Sequence, residues 1–146
     1  MQMTKRLKNL GAGQNDLKDV FEKQVRSVLE FGVPVWNSSI TKQEIQDIER
    51  VQKSFLRIVL GEKYINYDNA LKVLKMDTLE NRRKKLCETF ATKAASDPKF
   101  SKWFKINESA ASTERYCTPE ARLKRFKTSP IPYLTRVLNS MPLLSL

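Results

Sequence analysis

Histidine is absent from this chain of 146 residues. That removes the commonest general base and the commonest metal ligand. Cysteine is scarce: Cys87 and Cys117 lie far apart with no CxxC spacing, which reads as two reduced thiols in an intracellular protein. Without histidine, those two thiols cannot assemble a structural zinc site in any usual pattern. Only four glycines occur, and none belongs to a GxxxxGK or GxGxxG string, so no phosphate cradle is visible. No two aspartates are adjacent, so the clustered carboxylates that hold two metals in a template-dependent polymerase are missing. Asp47 and Glu49 come nearest, but their i,i+2 spacing points them to different sides of a helix. No apolar run approaches the roughly 20 residues that cross a bilayer. The start, Met1 to Arg6, lacks the apolar core of a signal peptide. Neither metal, cofactor nor membrane is expected, and catalysis by this chain alone is not expected either.

What is abundant is positive charge. Lys and Arg number 27 against 16 Asp and Glu, a net charge of +11. The surplus is uneven. Residues 1–77 carry 13 basic and 10 acidic side chains, whereas residues 78–127 carry 13 basic and 6 acidic. A basic half-chain favours a polyanion, with nucleic acid ahead of an anionic membrane because no strongly amphipathic aromatic face accompanies the charge.

The apolar positions recur at threes and fours, which predicts an all-α bundle of four or five helices over residues 1–104. Met3, Leu7 and Leu10 share the face of a first short helix stopped by Gly11 and Gly13. Its closeness to the start suggests a segment upstream. Asn15 is the expected cap of a second helix bearing Leu17, Val20, Phe21, Val25, Val28 and Leu29, ended by Gly32 and Pro34. Thr41-Lys42-Gln43-Glu44 is a capping box for a helix with Ile45, Ile48, Val51, Phe55, Ile58 and Val59 inward, closed at Gly61. A short helix follows over Asp68 to Lys75. A long one runs from Asp77 to Asp97-Pro98, with Leu79, Leu86, Phe90 and Ala94 inward. Residues 105–130 lose periodicity and read as a loosely attached basic arm. Ser129-Pro130 then opens a short helix in the 131–146 tail.

Four strings stand out in fixed order. They are Val25-Arg26-Ser27-Val28-Leu29-Glu30-Phe31-Gly32-Val33-Pro34-Val35-Trp36-Asn37, then Ile48-Glu49-Arg50-Val51-Gln52-Lys53 with Tyr64 beyond it. Leu79-Glu80-Asn81-Arg82-Arg83-Lys84-Lys85-Leu86 and Ser129-Pro130-Ile131-Pro132-Tyr133-Leu134 complete the set. In this order the chain, from about Lys5 to Asn139, resembles the segment that follows the polymerase domain in jockey-like and related LINE-type (non-LTR) retrotransposon reverse transcriptases. The resemblance implies a thumb and post-thumb region whose fingers and catalytic palm would lie upstream. Where members of that family carry a cysteine-histidine knuckle, this sequence has none.

Two clusters are candidate contacts for RNA or an RNA–DNA hybrid. Arg82, Arg83, Lys84 and Lys85 wrap more than one helical turn, so at least two must point away from the core. Arg122, Lys124, Arg125 and Lys127 interleave with Phe126, a pattern that can follow a phosphate backbone while one ring stacks on a base. A helix fixes its cations before binding, so the first cluster is expected to contribute more than an arm that must be ordered on contact. Plain solvation is the competing reading of both. Trp36 is expected over the face of the Ile45–Val59 helix, Arg26 beside Glu22 or Glu30, and Glu49 in a surface pair with Lys53. Two other uses remain open: a protein–protein module that self-associates or docks on an intact reverse transcriptase, and a retroelement remnant without function.

Overall fold

Thr41 and Glu44 satisfy each other at the start of the longest described helix. The Glu44 amide donates to Thr41 Oγ1 at 3.2 Å, and the Thr41 amide donates to Glu44 Oε2 at 2.7 Å. This is the reciprocal cap that the string predicts. Hydrogen bonds from the Thr41 backbone and hydroxyl favour the charged carboxylate, which holds Glu44 below the usual glutamate range.

A computed structural model describes residues 1–108, 114–120 and 122–142. Its helices are α1 (Gln2–Asn9), α2 (Gln14–Val20), α3 (Ser27–Glu30), α4 (Val33–Trp36), α5 (Lys42–Leu60), α6 (Tyr67–Val73), α7 (Leu79–Ser96), α8 (Lys124–Lys127) and α9 (Pro130–Ser140). A π turn, Phe21–Arg26, joins α2 to α3. The class is all-α; among the described residues the one strand-like pairing is an isolated antiparallel bridge between Ile106 and Tyr116. Of the arm expected over 105–130, residues 109–113 and 121 lie outside the described residues, as do 143–146 of the tail.

The chain divides into two compact units, residues 1–31 with 41–82, and residues 32–40 with 83–146. The first has a core of Leu17, Phe21, Phe55, Leu56, Val59, Leu60, Ala70, Leu71, Leu74 and Met76. Phe21 and Phe55 stack at its centre, 4.1 Å between ring centroids. Several faces differ from the periodicity. Helix α2 is capped at Gly13, whose amide donates to Asp16, rather than at Asn15. The π turn adds a residue and offsets the helix face beyond it, so Val28 is exposed although the 3.6-residue spacing places it inward. In α1 it is Thr4 that is buried, and Met3 and Leu10 are exposed. The inner face of α5 is likewise turned: Glu49 and Gln52 are buried, whereas Ile45, Ile48 and Ile58 are only half-buried.

The second unit's core is Val33, Cys87, Ala91, Ala94, Phe104 and Leu134, with Trp36, Tyr116, Tyr133 and Val137 packed against it. Trp36, expected over the Ile45–Val59 face, packs here. It is carried by a helical turn that Gly32 starts from a left-handed conformation at φ +65°. Tyr116 is clasped by α9: its amide donates to Asn139 Oδ1 and its carbonyl accepts from Asn139 Nδ2, both at 2.9 Å. The loss of periodicity over 105–130 gave no hint of this clasp.

Candidate nucleic-acid interface

Which cations can meet a phosphate depends first on what holds α7. Its buried positions are Leu79, Arg83, Cys87, Ala91 and Ala94, spaced at fours and then three, a single helix face. The apolar spacing places Leu86 and Phe90 inward; in the structure Leu86 is half-buried and Phe90 is exposed. The small side chains Cys87, Ala91 and Ala94 form the inner face, and Arg83 stands in line with them.

The run of four cations is thereby split. Arg82 donates through Nε to Glu30 Oε1 and through Nη2 to Glu30 Oε2, the second bond at 2.9 Å. This fork holds the guanidinium charged more firmly than usual, with partial burial opposing it. Glu30 also faces Arg26, which pairs with Glu22 at 3.0 Å. Arg83 is 2% exposed, and its Nε and Nη1 meet no acceptor among the described residues. It presents almost no surface to a ligand. Lys84 and Lys85 are exposed. At least two of the four face outward, as helical wrapping requires, and they are the two lysines.

The second cluster is arranged differently. Arg122, Lys124, Arg125, Phe126 and Lys127 are all exposed, Phe126 by 44%. Residues 124–127 form the single helical turn of α8 rather than an extended strand of arm. Arg136, exposed on α9, donates from Nη2 to the Lys127 carbonyl at 3.0 Å and so ties the end of that turn to the next helix. Arg136 stands alone in the sequence, outside either basic cluster. The signal for it is wider: from residue 121 to 146 there is no Asp or Glu at all. By unit, the contrast is 14 basic against 11 acidic residues in the first and 13 against 5 in the second.

The other distinctive strings serve the fold. Glu49, expected in a surface pair with Lys53, is buried and accepts from the Tyr67 hydroxyl and from the Glu80 amide at the start of α7. Gln52 donates to Tyr67 Oη at 3.1 Å and to the Asp77 carbonyl at 2.9 Å. Lys53 lies over the Tyr67 ring instead. Burial, followed by the Glu49 carboxylate, drives the Tyr67 hydroxyl far above the usual tyrosine range. In the second unit Asn37 donates to Tyr133 Oη at 2.8 Å, and burial raises both Tyr133 and its neighbour Cys87. Three of the four strings thus interlock through Glu30–Arg82 and Glu49–Glu80, and the fourth bonds back to Asn37 of the first. Among the described residues no group of three acidic or cysteine side chains gathers to hold a metal, and no helix is long and apolar enough to cross a membrane. Compared with protein-family models, curated proteins and solved structures, the chain matches none.

Proposed function

We propose that this chain is a nucleic-acid-contacting helical module of the kind that ends a LINE-type reverse transcriptase. It binds RNA or an RNA–DNA hybrid through phosphates, with little base readout and no polymerase activity of its own. An intracellular setting, nuclear or cytoplasmic, goes with that reading. The observation that supports it best is the exposed, carboxylate-free stretch around α8, inside a unit whose basic residues outnumber acidic ones by 13 to 5. Glu114 is the one carboxylate bonded to this stretch among the described residues, through Asn139 of α9, so cations remain in excess and favour a polyanion.

The test is a salt series on purified protein with a structured RNA and an RNA–DNA hybrid. If five phosphates are neutralised, affinity should fall roughly 100- to 500-fold between 50 and 200 mM salt. A flat salt response would favour the second reading, docking on an intact polymerase or a second copy. That reading has its own support in the first unit, where Leu10, Val28 and Phe31 are 83, 73 and 84% exposed.

A further inference from the structure

We infer that the turn around Phe126 is a stacking platform for single-stranded nucleic acid, gripping an unpaired base between two phosphate-binding cations; this rests on the nucleic-acid reading above. Helix α8 is one turn, about 6 Å long at 1.5 Å per residue. Successive side chains leave a helix about 100° apart. Arg125 and Lys127 therefore flank the Phe126 ring on either side, and Lys124 occupies the remaining sector. Arg122 precedes the turn, and Arg136 fixes its last carbonyl from α9. The ring is 44% exposed on a surface where every charged neighbour in sequence, from 122 to 136, is positive. An exposed phenylalanine ringed by cations is poorly suited to an apolar protein partner, because docking there would strand several charges. It suits a ligand that offers an aromatic face and negative charge together.

That ligand is single-stranded. In a duplex the base faces are stacked on one another and closed to a side chain, so a hybrid could use the cations but not the ring. In a single strand each base can leave its neighbours and lie on the ring while adjacent phosphates reach the flanking cations. Phe126 supplies the face, Arg125 and Lys127 the phosphate contacts, and Arg136 acts as a positioning residue. Because a π-face is common to all bases, the site has little sequence preference.

The experiment compares binding of a uridine or thymidine oligonucleotide with binding of the same strand annealed to its complement, at one near-physiological salt concentration. Wild-type protein, Phe126→Leu and Phe126→Trp are titrated side by side. Leucine keeps apolar bulk and removes the π-face, and its thermal unfolding is recorded to show that the fold survives. Phe126→Leu should lose roughly 5- to 100-fold in single-strand affinity, with duplex affinity within about twofold of wild type. Phe126→Trp should match or exceed wild type on the single strand. Equal loss on single strand and duplex, or no loss on either, overturns the stacking platform. In the second case salt-sensitive binding would persist, and the broader nucleic-acid reading would stand without it. Failure of the wild-type protein to bind either ligand overturns both.

Discussion

Arg82 forks onto Glu30 across 52 positions of the chain. The acceptor is shared, because Arg26 faces the same carboxylate at 3.8 Å. Glu30 is 14% exposed and Arg82 32%, so the pair is shielded at its acidic end and more open at its basic end. Removing the shared acceptor leaves two guanidinium groups facing each other, whereas removing Arg82 leaves Glu30 still beside Arg26. Glu30→Gln should therefore destabilise the protein by about 2–3 kcal/mol and Arg82→Gln by about 1–2 kcal/mol, discounting the second for solvent screening. Urea unfolding of the two variants checks the ranking; the reverse order would mean that Arg26 gains little from Glu30.

Phe55 stacks on Phe21 and is fully buried. Phe55→Ala should cost about 3–5 kcal/mol. A loss below about 0.5 kcal/mol, typical of surface changes, would place Phe55 outside the core.

Tyr67 offers a pH prediction. Its hydroxyl is held protonated by burial and by Glu49, so its proton affinity is higher folded than unfolded. A group with a raised folded value contributes its full stability below the unfolded value, about 10 for tyrosine, and loses it as pH rises beyond that. Wild-type protein should lose stability from about pH 10 upward, and Tyr67→Phe should lose distinctly less over the same range. At neutral pH the same substitution should cost about 1–3 kcal/mol, because a buried Glu49 oxygen loses its donor. Equilibrium unfolding of both proteins between pH 8 and 11 (chosen to bracket the roughly pH 10 tyrosine midpoint) decides; parallel curves would show that Tyr67 ionises alike in both states.

The two basic clusters should separate by what each variant loses. Glutamine at 122, 124, 125 and 127 should reduce affinity and flatten the salt slope by about three units, leaving thermal stability nearly unchanged. Glutamine at 82–85 should lose stability through the Glu30 fork and less affinity, since only Lys84 and Lys85 are exposed. This reverses the order expected from sequence. That order assumed four available cations on an ordered helix set against a flexible arm. Arg82 is engaged by Glu30 and Arg83 is buried, whereas Lys124 to Lys127 are themselves helical. Equal affinity losses from the two variants would restore the first cluster as a contact.

Local signals were legible in the sequence. The Thr41–Glu44 box needs only neighbours in the chain, and it opens the helix where the string says it should. The basic turn was visible as a cluster because its charges are contiguous. What periodicity could not deliver was the rotation of each helix. An apolar count favours large residues, so it turned α7 towards Leu86 and Phe90, whereas the close-packed face is built from Cys87, Ala91 and Ala94. Arg83 went unrecognised as an interior residue for that reason. Glu49 and Gln52 look like surface residues until Tyr67, Asp77 and Glu80 are brought to them from 15 to 31 positions away. The π turn has no residue signature in this chain, and the offset it introduces puts Val28 outward.

The carboxylate-free stretch beyond residue 120 also divides the kinetics of any encounter with a polyanion. Unbalanced charge attracts a strand before contact, over a Debye length of about 8 Å at physiological ionic strength, so it governs how fast the two meet. Contacts made only after arrival, such as a ring against a base, govern how long they stay together. Salt should therefore slow capture, whereas a change confined to Phe126 should shorten residence and leave the rate of capture alone.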